Sequence, residues 1–487
     1  MSVHDSKQLL AYTPMFHSRI FNETQNFRDR HFQPLRDDST AAELGKDPYL
    51  DGNPQTDRPL FVQFCANDPD ALLEAAQYVQ PYCDAVDLNL GCPQGIARRG
   101  SYGAFLQEDW GLIHTLIHKL HIELDVPVTA KIRLLESKEK TLDYAKMILS
   151  AGASIITVHG RQRDQKGHKT GLADWSVLRF LRDHLPSETV LFANGNILQR
   201  DDIQTCLDAT GFDAVMSAEG NLYDPTIFAS PPVSSKEDRE YWYGRNGKGG
   251  YRMDAVFRRY MDIIYKYVLE KPPPAREPLA LPADPQDLAV RSLDAFLEPD
   301  DDGQPPEKKR KKDREAGKPN SPNLLAMQPH LFHLLRPLVT KHTKVRDALA
   351  KCRAGDIQAF ENVLKMVTVV VREGLLDYEA DPAKYDETLP LDEKALKEAE
   401  ICDESSLATV GRCRRPWWIC QPYVRPLPKE ALAKGSLTMS KQEKRKLEQE
   451  ASLPKSEKAV SKSEREKMDE NDGLAEREMP KQAMVAG

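Results

Sequence analysis

No run of this chain is apolar for long enough to cross a bilayer and no secretory leader is seen in it, so neither a membrane-spanning nor an exported protein is expected, and no membrane partner. Cysteine is sparse: eight residues are scattered over 487. Disulfides are therefore not expected, and a soluble protein of a reducing compartment, cytoplasmic or nuclear, is. An excess of positive charge is also missing. The formal net charge is −7, so a nucleic-acid partner would have to be met by a local patch and not by a global field. Metal-ligand spacing, a Ser-His-Asp arrangement and a P-loop are absent as well, and no metal is expected.

Length is what the chain has, enough for about three average domains or for one large α/β barrel with extras. Its most informative stretch is Asp87-Leu88-Asn89-Leu90-Gly91-Cys92-Pro93. Ala85 to Leu90 reads as a buried strand that stops at Gly-Cys-Pro. Gly91 permits a sharp turn and Pro93 fixes φ beyond the sulfur, so Cys92 is held at the rim of a sheet. An isolated cysteine after a strand is more often a small buried residue; here other strand ends carry polar or ionisable groups in the same way.

Those strands read as Leu9 to Met15, Leu60 to Cys65, Ala85 to Leu90, Val126 to Ile132, Ile155 to His159, Val190 to Ala193 and Ala214 to Ser217, with helix-length amphipathic stretches between most of them. From Asp70 to Val79 and from Trp110 to Leu120 the apolar residues recur at helical intervals. Strand, helix, strand, repeated, implies a parallel sheet. An open doubly wound sheet would gather functional residues at one switch point. Here the strand-end residues are Thr13, Pro14 and Met15; Gln63; Asn89 and Cys92; Lys131 and Arg133; His159 and Arg161; Asn194 and Asn196; Ala218 and Glu219. Every strand contributes, which favours a (β/α)8 TIM barrel whose C-terminal rim is the working face. Only seven strands can be counted, so the expectation is a barrel lacking its first βα unit.

A cation such as Lys131 at a barrel mouth can stabilise the anion of a reduced flavin beside its N1 and O2 edge. Gln63 and the Asn194-Gly195-Asn196 turn offer amides suited to a flavin or pyrimidine edge. The turns Asn194-Gly195 and Glu219-Gly220 could set backbone N–H groups against a phosphate. Each has a plain reading alone: a strand lysine snorkels, a lone histidine fills a core, Asn-Gly makes a turn.

Tyr12-Thr13-Pro14-Met15, Val62-Gln63-Phe64-Cys65, Asp87 to Pro93 with Gly100, Gly103 and Ala104, Ala130-Lys131-Ile132-Arg133, Val158-His159-Gly160-Arg161, Ala193-Asn194-Gly195-Asn196 and Val215 to Gly220 stand in this order. So ordered, the stretch from Tyr12 to Phe228 resembles the catalytic domain of the tRNA-dihydrouridine synthases. Cys65 to Pro69 and Ser217 to Tyr223 are most similar to the eukaryotic branch acting on D-loop uridines sixteen and seventeen. The resemblance implies NADPH (or NADH) as reductant, FMN as carrier and a flipped-out uracil as acceptor. It implies Cys92 as general acid; Gln63, Lys131, His159, Asn194, Gly195, Asn196, Ala218 and Glu219 as FMN contacts; and Asn89, Arg133 and Arg161 facing the uridine or its phosphates. The family opens with a strand ending in Ala-Pro-Met that this chain lacks before Tyr12, so weak flavin binding is expected of the chain as written.

Residues 1–230 are thus expected to form the catalytic barrel. Residues 250–270 and 324–400 read as one helical module with a cationic face, the tRNA-binding domain by resemblance, split at 272–323 by a Pro- and acid-rich disordered insertion that contains Lys308 to Lys312. In the segment 401–426, Arg412, Arg414, Arg415 and Arg425 are interleaved with Trp417, Trp418 and Tyr423, a pattern that can stack on bases or pack back on the module. Residues 427–487 read as a disordered tail. Cys402, Cys413 and Cys420 have the wrong spacing for zinc. A monomer is expected. Two other readings stay open: a barrel flavoenzyme that reduces a free pyrimidine, and a catalytically impaired RNA-binding derivative.

Overall fold

The computed structural model describes residues 9–35, 48–232, 238–244, 248–284, 321–386, 406–433 and 435. Eight strands, β1 (Ala11–Tyr12), β2 (Phe16–His17), β3 (Leu60–Cys65), β4 (Ala85–Asn89), β5 (Val128–Leu134), β6 (Ile155–Gln162), β7 (Val190–Asn194) and β8 (Ala214–Met216), form one parallel sheet in the order β1-β3-β4-β5-β6-β7-β8, with β2 also on β3. All six residues of β3 are buried, as suits a strand covered on both faces.

Of the expected strand over Leu9 to Met15 only Ala11–Tyr12 forms a strand, β1, and the second short strand, β2, follows just beyond it. Pro14 has no N–H to give to a ladder. Just ahead of it Thr13 N–H donates to Phe61 O at 3.0 Å, and Thr13 Oγ1 accepts from Gln63 N–H at 3.0 Å. The chain then rejoins β3 at Phe16, opposite Phe64.

Helices α1 (Pro69–Val79), α2 (Trp110–Glu123), α3 (Lys138–Ser150), α4 (Trp175–His184) and α5 (Arg200–Thr210) connect successive strands. Their starts are written locally: Asp68, Asp109, Ser137 and Asp174 each accept backbone N–H groups of the first turn, worth about 1 kcal/mol apiece. The sheet curls strongly. Tyr12 on β1 reaches Thr157 on β6, hydroxyl to hydroxyl, at 3.4 Å across the interior. This is the curvature of a barrel-type α/β fold, although no ladder joins β1 to β8 among the described residues.

A second core gathers α6 (Met253–Ile263), α7 (Pro322–Leu334), α8 (Arg336–Lys341), α9 (Thr343–Lys351) and α10 (Ile357–Ala380) around Phe257, Leu335, Phe360, Val367 and Val371. The first residues of the expected insertion, 272–284, lie among the described ones. Leu279 is buried, and Arg276 bonds Asp262 and Glu361, so 272–284 is docked on the helical module. Likewise the expected tail opens with a helix, α11 (Pro428–Ala433), whose Ala431 is buried. The basic run at 308–312, Cys402 and the tail from 436 lie outside the described residues.

Candidate active site

Register alone assembles the rim. Asn89 lies opposite Lys131, and Arg133, His159 and Asn194 follow side by side on β5, β6 and β7. The turn that carries Cys92 is fixed from beneath. Asn89 Oδ1 accepts from the N–H groups of Gly91 (3.0 Å) and Cys92 (2.9 Å), while Asn89 Nδ2 donates to Gln63 Oε1 at 2.7 Å. Gln63 Nε2 in turn donates to Asp87 Oδ2 at 2.7 Å, and Thr129 Oγ1 donates to Asp87 Oδ1 at 2.6 Å. A fully buried carboxylate therefore anchors a relay of amides that ends at the backbone of Cys92, and burial pushes the Asp87 carboxyl up. From above, Arg133 Nε donates to Gly91 O (2.8 Å) and Lys166 Nζ to Pro93 O (2.6 Å).

Held so, Cys92 packs, with Met15 and Phe105, against the small buried cluster of Cys65, Ala97 and Tyr102. Among the seven described cysteines it is the one that is not buried. Strand, turn and clamp thus leave Cys92 partly exposed with its backbone fixed, a setting from which a thiol can deliver a proton to a reacting carbon.

Lys131 Nζ spans β6 to donate to Asn194 Oδ1 at 3.2 Å, its one protein acceptor among the described residues. Burial, and then the neighbouring Arg133 charge, bring its pKa down to about 8. His159 is held neutral: burial first, then Lys131, Arg133 and Arg161, drive its pKa well below the ordinary value. Arg161 Nη1 lies 2.9 Å from His159 Nε2. A guanidinium only donates, so Nε2 accepts and the ring proton sits on Nδ1. Asn194 Nδ2 donates to Met216 O at 2.9 Å, which leaves its orientation fixed. Gly195 has φ +111°, and a Cβ there would lie 2.7 Å from the Ala173 Cβ, so the tip of β7 turns where only glycine fits.

Some of the expected contacts are committed within the protein. Arg161 is fully buried, with hydrogen bonds to Gly171 O, Asn196 Oδ1 and His159, so it does not face open space and organises the β6 loop instead. The Asn196 side chain accepts from Arg161 and from Ala173 N–H through Oδ1 and donates through Nδ2 to Ala173 O, so its oxygen is committed within the protein. Asn89 is likewise used at both ends, as a brace for Cys92. Arg133 keeps Nη2 without a protein partner among the described residues while Nε and Nη1 hold the Gly91 and Gln162 carbonyls. Ala218 precedes the short helix Glu219–Tyr223, and the Glu219 carboxylate is gripped by Arg425 through Nε at 2.8 and 3.1 Å and through Nη2. In the Arg/Trp segment, Trp418 is fully buried in the helical core and Arg412 pairs with Asp202, so these two are not free for bases.

Sequence reading passed over Asp87 and Thr129 as anchors. A carboxylate inside an otherwise apolar strand was the available signal. The Arg425 contact, 206 residues from Glu219, had none. Among the described residues no group of three or more His, Cys, Asp or Glu is arranged to hold a metal ion, and no helix is long and apolar enough to cross a membrane.

The chain is 41% identical over 421 residues to the tRNA-dihydrouridine(16/17) synthase [NAD(P)(+)] of Schizosaccharomyces pombe, covering 86% of this chain and 82% of that one. The enzyme of the same name from Saccharomyces cerevisiae is 41% identical over 420 residues, covering 86% and 78%. A rat protein named tRNA-dihydrouridine(16/17) synthase [NAD(P)(+)]-like is 33% identical over 444 residues, covering 91% and 73%. The family model for dihydrouridine synthase matches residues 2–272, and with its thiol, lysine and amides gathered on one rim, the chain belongs to the dihydrouridine synthase family.

Proposed function

We propose that this chain reduces the 5,6 double bond of D-loop uridines in tRNA, at positions 16 and 17, with FMN as the bound redox group and NADPH or NADH as reductant. The observation that carries this reading is the rim itself: a partly exposed cysteine, braced in the turn just past β4, lies near enough to the Lys131 ammonium to act on its charge, and that ammonium is bonded to the Asn194 amide. The names of the yeast relatives supply the substrate and its positions.

The donors present fit a flavin. Lys131 keeps N–H bonds beyond the one given to Asn194, and His159 carries its proton on Nδ1, with Nε2 accepting from Arg161. Both suit the acceptor-rich pyrimidine edge of an isoalloxazine. Bound there, FMN supplies the hydride for C6 of the uracil ring. Cys92 delivers the proton to C5, a step open to an S–H donor positioned at the reacting carbon. Asn89 and Arg133 keep the sulfur in place, since a turn pinned on both sides cannot drift from the reacting carbon. Gln63 and Asn194 hold the amide pattern, and Lys131 stabilises negative charge that develops at the mouth.

The test is direct. Purified chain supplied with FMN and NADPH should convert uridines 16 and 17 of an unmodified tRNA transcript to dihydrouridine, read by mass spectrometry of the digested tRNA, and should leave free uracil untouched. Turnover of free uracil alone would favour the pyrimidine-reductase reading.

Lys131 also predicts a pH profile. Its pKa of about 8 means the ammonium is present below that pH and lost above it. If that ammonium donates to the flavin, affinity for FMN falls up to about tenfold per pH unit above 8. In Lys131→Met the affinity should start lower and be flat across the same range, as measured by quenching of flavin fluorescence. A wild-type affinity that does not change from pH 7 to 10 would remove Lys131 from the site.

A further inference from the structure

The tip of β8 carries a carboxylate where a phosphate would be expected to lie. In parallel barrels the loops after the seventh and eighth strands commonly form a phosphate site. Here the β7 tip turns through Gly195 (φ +111°) and Asn196 (φ +63°), and the β8 tip leads through Ala218 to Glu219. A bare Glu219 would repel a dianion. It is not bare: Arg425 reaches it from the far end of the chain and covers both carboxylate oxygens with Nε and Nη2. Arg425 Nη1 has no hydrogen-bond partner among the described residues, so the guanidinium has donors to spare after neutralising the acid.

Arg425 is also held in position. Val424 and Leu427 pack with Leu172 of the β6 loop. Tyr423 lies beneath the Arg336 guanidinium, 3.7 Å from ring centroid to cation, and Leu427 N–H and Ser406 N–H both donate to Glu430. The charges of Glu219 and Arg425 both reach Arg161, behind the β7 turn. The last described segment is therefore a strap that runs from the helical module across the barrel rim and places one guanidinium at the tips of β7 and β8.

We propose that Arg425 recognises the phosphate end of the cofactor, so that the C-terminal strap forms part of the flavin site of the barrel. This rests on the FMN reading given above. Arg425 neutralises Glu219 and offers Nη1 to a phosphate monoester, a charge-assisted contact that riboflavin, which has no phosphate, cannot make.

The full chain should be titrated with FMN and with riboflavin, following quenching of flavin fluorescence. Arg425→Ala is expected to weaken FMN binding about 10- to 100-fold and to leave riboflavin binding within about twofold of wild type, which also reports an intact fold; Arg425→Lys should fall between the two for FMN. Equal loss of both flavins in both variants would assign Arg425 to holding the fold together and overturn the proposal. Unchanged FMN affinity with weakened binding of a tRNA transcript would overturn it in favour of an RNA phosphate. Wild-type chain that binds neither flavin would sink the FMN reading itself, an outcome distinct from the others.

Discussion

Cys92→Ala is expected to lower the rate of uridine reduction in tRNA by about 10²- to 10⁴-fold while NADPH still bleaches the bound flavin at the wild-type rate. The two half-reactions separate because of how the sulfur is held. Its carbonyl, its N–H and the neighbouring Gly91 are fixed by backbone and side-chain bonds from Ala104, Asn89 and Arg133. None of those bonds uses the thiol. Removing Sγ therefore leaves the turn, the rim and the lysine where they were, and takes away only a proton donor. Rapid-mixing absorbance would show normal flavin reduction followed by no reoxidation on adding tRNA. If reduction by NADPH slows in step with tRNA turnover, the thiol is serving the flavin and not the uracil, and the assignment fails.

The second large effect is on stability. Trp418→Ala should destabilise the helical module by about 3–5 kcal/mol, read from the denaturant midpoint of the far-ultraviolet signal. Trp418 is fully buried, and its ring lies against Trp242, Tyr378, Tyr385 and Trp417. It presses so closely on the long helix α10 that a Cβ on Gly374 would come within 2.6 Å of the indole. Trp418→Phe should cost less, because the indole Nε1–H is buried without a partner in the described residues and phenylalanine carries no such donor. A midpoint unmoved by the alanine change would show that the indole is not part of the core. The barrel, whose own core is separate, should keep its transition.

Which parts of this could be read from the sequence follows a physical divide. The strand ends were legible because each is marked locally: an apolar run of β-rich residues gives way to a polar group within one or two positions, as at Asn89, Lys131 and His159. Register then did what the sequence could not state, setting Asn89 against Lys131 and Arg133 against His159. The direction of Arg161 could not be read, because an arginine at a strand end looks the same whether it turns outward or inward; acceptors that draw it inward include Gly171, Asn196 and His159. The break at Pro14 was visible as a proline, but its consequence depended on a ladder with β3 that lies far along the chain. Least legible were contacts such as Arg425 with Glu219 and Arg412 with Asp202, separated by 206 and 210 residues. A salt bridge over that span leaves no periodicity and no motif.

The helical module draws its apolar filling from separate pieces: Met253 to Ile264, Leu324 to Tyr378, and finally Trp418 to Cys420. On the ribosome these are made in that order, so the barrel-type sheet, contiguous up to Phe228, can fold while the module still has an open seam. That seam is sealed only when the tryptophan made last comes off the ribosome, which sets the order in which the two halves of the molecule mature.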